Sequence, residues 1–145
     1  MEKQNANREP VRQSVHVDCP REDAFRLFTE ALSEWWPREL GPRGGGDYDE
    51  VVIEPWEGGR VFERTRSGKE QDWGSVTVWE PPRRLEFTWH PDAPRDDRQT
   101  VTVDFRTEAD GTRVTLTHHG WHLAGVATCL AHFGRFITEQ MLVAF

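Results

Sequence analysis

Long apolar runs are missing from this sequence, and none approaches the roughly 20 residues a membrane-spanning helix needs. The opening MEKQNANREP lacks the apolar core of a secretory signal, so a cytoplasmic chain is expected. Cysteine is scarce. Cys19 and Cys129 stand far apart with no partner motif, which argues for two free thiols and against a disulfide framework. Positive charge is in deficit, with 18 Lys and Arg against 25 Asp and Glu, for a net charge of −7. A binder of phosphate backbones needs a cationic footprint, and the overall balance offers none, so nucleic acid is not an expected partner. No Walker A, Gly-x-Ser-x-Gly or dinucleotide fingerprint occurs, and no Lys-Ser/Thr follows Gly44-Gly45-Gly46, which leaves that run a loop. No cofactor is expected.

What the chain has in quantity is aromatic bulk: seven Trp and eight Phe, but one Tyr. Each such ring buries roughly 150–250 Å², so aromatics must supply much of the core. A length of 145 residues suits one domain, here residues 11–145 behind a disordered tail of residues 1–10.

The pattern then divides. Val11, Val15 and Val17 share one parity, which predicts a half-buried strand ending at Asp18. Proline suits a first helical position, so Cys19-Pro20 opens a helix that carries Ala24, Phe25, Leu27 and Phe28. A second short helix, Thr29–Trp36, stops before Pro37. After the glycine loop the period becomes two. Strands are predicted at Tyr48–Pro55, Gly59–Arg66, Asp72–Trp79, Arg84–Trp89, Thr100–Thr107 and Thr112–His119, separated by Gly and Pro turns. Short links favour an antiparallel meander. From Gly125 to Phe145 the period is helical again, with Val126, Leu130, Phe133, Ile137 and Ala144 on one side and Thr128, Arg135 and Glu139 opposite.

Strand, two short helices, six-strand meander and long helix is an order that resembles the START and Bet v 1-like superfamily. Four motifs narrow it: Trp35-Trp36-Pro37, the run from Ile53 to Arg60 (IEPWEGGR), the run from Pro81 to Trp89 (PPRRLEFTW), and Thr117-His118-His119-Gly120-Trp121. In this order they resemble the bacterial relatives of the chaperone-ATPase activator family. The resemblance implies an α+β helix-grip fold, a curved antiparallel sheet of about seven strands wrapped around a long C-terminal helix. It also implies an elongated space between sheet and helix. The acidic linker usual before that helix is short here, and there is no room for the second domain of the eukaryotic activators.

Strand parity nominates the lining of that space. Leu85, Phe87 and Trp89 share a face, as do Val101, Val103 and Phe105, and Val114, Leu116 and His118. Trp73 is harder to assign, because Gly74 invites a bulge. An empty space of about 300 Å³ would cost about 7 kcal/mol at engineered-cavity rates. That is comparable to a domain's whole stability, so side chains, water or a ligand must fill it. The candidate ligand-binding residues are Trp35, Trp36, Trp73, Phe87, Trp89 and Val103. Phe105, His118, Leu130, Phe133, Ile137 and Gln140 complete the set. For Trp35 and Trp36 two roles are open, a pocket mouth or an anchor of the short helices on the sheet. Gly134 is open between close helix–sheet packing and room for a ligand. His118 is either a neutral core histidine or a polar anchor for a ligand.

Glu54, Glu63 and Glu86 lie on strands and are expected to pair at the surface with Arg60, Arg64 or Arg84. His119-x-x-His122 lacks a third ligand, and no metal is expected. These residues favour a binding module for a hydrophobic or aromatic small molecule. The alternatives are a polyketide cyclase- or dehydratase-like enzyme using His118 and Gln140, or a chaperone-stimulating domain that binds a protein partner through its outer surface.

Overall fold

Alternating valines and a proline set the first elements. The computed structural model describes residues 10–36, 48–89, 99–119 and 133–138. Strand β1 (Val11–Val17) leads into helix α1 (Arg21–Glu30) and the single turn α2 (Leu32–Trp35). Strands β2 (Tyr48–Ile53), β3 (Arg60–Thr65) and β4 (Glu70–Glu80) follow. Then come β5 (Arg84–Thr88), β6 (Thr100–Glu108) and β7 (Gly111–His119). Residues 133–138 form α3, the described part of the expected C-terminal helix. No helix among the described residues is long and apolar enough to cross a membrane.

The boundaries differ from expectation in ways the chemistry explains. Pro20 is the N-cap and not the first helical residue: its φ of −64° suits either place, but a ψ of 155° continues the extended chain from β1. Thr29 ends in α1, where its hydroxyl donates to the Phe25 carbonyl at 2.9 Å, and the break falls at Ala31. Strand β2 stops at Ile53, short of Pro55, which has no N–H for the ladder.

The seven strands form one curled antiparallel sheet in the order β1-β7-β6-β5-β4-β3-β2. Strands β2 to β7 are thus a meander, and β1 closes on the free edge of β7. This is the helix-grip architecture. Strand β4 joins its halves, since residues up to Ser75 pair with β3 and residues from Val76 pair with β5. The register shifts beside Gly74, and the buried parity changes there, from Trp73 to Val76.

The concave face carries the core. Leu85, Val101, Val103, Phe105, Val114 and Leu116 are all buried, and α1 lays Ala24, Phe25 and Phe28 across them. Helix α3 brings Phe133 and Ile137 to the same core with Arg135 outward. A Cβ on Gly134 would stand 2.9 Å from the Val15 side chain, so this glycine serves close packing of α3 against β1. Cys19 is buried beside α1, and burial, with Asp23 and Asp18 nearby, pushes its thiol up to about 11. Between pH 9 and 11 the unfolded chain releases this proton while the folded chain keeps it, so the contribution to stability falls as pH rises through that window. Iodoacetamide labelling at pH 8 with peptide mapping should find Cys19 at least tenfold slower in the folded protein than in urea.

Candidate functional site

Three indoles meet at one end of the concave face. Trp36 leaves α2, Trp73 comes from β4 and Trp89 follows β5. Their ring centroids lie 5.5 Å (36–73), 5.7 Å (36–89) and 5.5 Å (73–89) apart, a closed triangle at favourable aromatic spacing. Phe87 extends it, 6.3 Å from Trp89. Trp35 links the triangle to the helices, 6.0 Å from Trp36, 4.8 Å from Phe28 and 5.0 Å from Phe133. Its Nε1 donates to the Phe28 carbonyl at 3.2 Å. Both Trp35 and Trp36 are buried: Trp35 packs against Phe28 and Phe133, whereas Trp36 packs against the sheet indoles Trp73 and Trp89.

The space these rings enclose is about 10 Å³, bounded also by Leu32, Ile53, Val61 and Leu116. That is the lower limit for one water molecule. Of the three ways to fill the interior, side chains take this part of it. Two polar atoms are buried at the cluster's edge. The Trp73 Nε1 donates to Glu63 Oε1 at 3.0 Å, whereas the Trp36 Nε1 meets no acceptor among the described residues.

Glu63 is the correction to the sequence reading. It is 3% exposed on the inner face, so it is no surface partner for arginine. Its register position opposite Val51, with Val61 on the same side, carries it inward. That parity was the available signal. Arg84 pairs with Asp104 at 2.8 Å, and Glu86 instead accepts from Thr77 at 2.8 Å and Thr102 at 3.2 Å. Glu54 does pair with Arg60, at 3.4 Å.

The remaining candidates are placed as follows. His118 is buried, and its Nε2 lies 3.2 Å from Gln99 Oε1, beyond the lining of the small void. Val103, Phe105, Phe133 and Ile137 are core residues that do not border it either. Leu130 and Gln140 lie outside the described residues, as does His122, and His119 is exposed.

With this geometry in hand, likeness to known proteins becomes decisive. Residues 18–141 match the family model described as activator of Hsp90 ATPase homolog 1-like protein. The chain belongs to this family. Among functionally curated proteins none matches the sequence. The fold is shared with the solution structure of an AHSA1-like protein from Aeromonas hydrophila, at 22% identity and a TM-score of 0.67, over 92% of this chain and 94% of that one. It is shared with the Aha1 dimer from Colwellia psychrerythraea, at 17% identity and a TM-score of 0.62, over 86% and 89%. A structure of the anthrahydroquino-γ-pyrone synthase Txn09 with a bound ligand is similar at 33% identity, with a TM-score of 0.61, over 88% of this chain and 96% of that one.

Proposed function

We propose that this family member binds a planar aromatic or hydrophobic small molecule at the indole triangle, as a single cytoplasmic domain spanning residues 11–145. The observation that carries the reading is the triangle itself: Trp36, Trp73 and Trp89 gathered on the concave face with a carboxylate and an indole N–H at its edge. Ring faces suit a flat conjugated ligand, and few, fixed polar groups orient it. With about 10 Å³ of space, entry requires one of the rings to turn aside, and Trp36, whose N–H is held by no acceptor among the described residues, is the one to move. Similarity to a synthase whose name marks a fused aromatic pyrone supports the same ligand class.

A library of anthraquinones, flavonoids and fatty acids tests this by thermal shift and Trp fluorescence. A ligand at a hundred times its dissociation constant adds about 2.7 kcal/mol, which raises Tm by about 5–11 °C in a chain of this size. No saturable shift from any member would end this reading.

The synthase likeness also favours a second reading, in which a bound ligand is turned over by cyclase- or dehydratase-like chemistry. His118, Gln140 and Glu63 are then the groups to vary. His118→Gln separates the two readings. It keeps a hydrogen-bonding group but cannot relay a proton near neutral pH, so binding retained with turnover lost marks catalysis.

A further inference from the structure

The convex face of β1, β7, β6 and β5 carries a concentration of arginine that the net charge of −7 conceals. Antiparallel register brings Arg12 opposite Thr117, Arg113 opposite Arg106, and Asp104 opposite both Thr115 and Arg84. With Arg21 and Arg83 these residues border an open cleft of about 810 Å³ whose sole lining carboxylate among the described residues is Asp104. Three of the six arginines are answered: Arg84 by Asp104 at 2.8 Å, Arg113 by Glu108 at 3.1 Å, and Arg83 by Glu80. Arg12, Arg21 and Arg106 have no carboxylate partner among the described residues. Arg106 and Arg113 face each other directly across the ladder, a like-charge pairing that opposes sheet formation. Glu108 offsets that repulsion at Arg113 but not at Arg106, which leaves Arg106 for an incoming anion.

We infer that this face is a docking surface for a short acidic segment of a partner protein. Guanidinium forks match carboxylates in bidentate geometry, and the hydroxyls of Ser14, Thr115 and Thr117 lie among them as further donors. Backbone N–H groups of β7, β6 and β5, each flanked by strands on both sides, are taken up in ladder bonds, so the centre of this face has no nest of free amides of the kind that encloses a single phosphate. The one ring bordering the cleft among the described residues, Phe105, is 1% exposed and offers no platform for stacking nucleobases. A long polyanion also meets the repulsion of the whole acidic chain. A short segment held within a screening length of about 8 Å meets six arginines against Asp104, Glu108 and Glu80, the three carboxylates that pair with them, a local excess of positive charge.

The test is fluorescence anisotropy of a labelled oligoglutamate peptide against the full chain at low salt. Wild type should bind it saturably, and Arg12→Ala/Arg106→Ala should weaken binding at least tenfold. Removing Arg106 relieves the like-charge pair, so Tm should hold or rise, separating lost docking from lost fold. Arg60→Ala/Arg64→Ala, on the β3–β4 side, should leave affinity unchanged. No binding by wild type, equal loss in both double variants, or displacement of the peptide as readily by inorganic phosphate or single-stranded RNA would each overturn the inference.

Discussion

Phe133→Ala should cost about 3–5 kcal/mol of folding stability, a large part of the roughly 5–15 kcal/mol that holds a typical domain together. The ring is fully buried, 5.0 Å from Phe28 and 5.0 Å from Trp35, so it ties α3 to both N-terminal helices at once. Truncation removes its transfer free energy and leaves a hole between three elements that cannot all close on it. Phe133→Leu keeps most of the volume and should lose much less. Urea unfolding followed by Trp fluorescence reads both variants. A loss below about 1 kcal/mol for the alanine variant would mean that α3 is not packed on this core. The ligand reading shares the dependence, because Trp35 rests on Phe133 and bears on Trp36. A destabilised alanine variant should therefore also bind planar ligands more weakly.

The architecture was legible because its signals are local. Alternation in Leu85-Glu86-Phe87 and in Val101 to Phe105, turn residues at regular intervals, and a helical stripe through Phe133 and Ile137 each report on a few neighbouring positions. The family followed from four short motifs in order. The site was legible only in part. Parity placed Phe87 and Trp89 inward, but nothing in sequence says that Trp36, Trp73 and Trp89 close a triangle. That depends on side-chain packing across separate elements. Glu63 was misread because a charged strand residue is normally exposed. Inside, it accepts a hydrogen bond from the indole of Trp73, across the β3–β4 register shift. The arginine face was hidden for a related reason. Arg12, Arg84, Arg106 and Arg113 are scattered along an acidic chain, and only strand order makes them neighbours.

Gly74→Ala should be the more damaging of two equally small changes, costing more than the about 1–3 kcal/mol typical of overpacking. A Cβ there would stand 1.8 Å from the Thr88 carbonyl oxygen, a backbone atom that no rotamer change can remove. Gly74 lies where β4 leaves β3 for β5, and the next residue, Ser75, donates its N–H to the Thr88 hydroxyl at 2.9 Å. Relief therefore requires β4 and β5 to part, which breaks that bond and moves Trp73 and Trp89 away from each other. Gly68→Ala is the comparison. Its φ of +94° makes alanine strained, but its Cβ would meet nothing within 4 Å, so a cost of about 1–2 kcal/mol is expected there with the indole cluster undisturbed. Denaturant midpoints and native Trp emission distinguish the two. Gly74→Ala should unfold earlier and shift the emission before unfolding, and Gly68→Ala should only unfold earlier. Equal midpoints with unchanged emission in both would show that β4 and β5 do not approach this closely, and the triangle would lose the strand contact that sets its spacing.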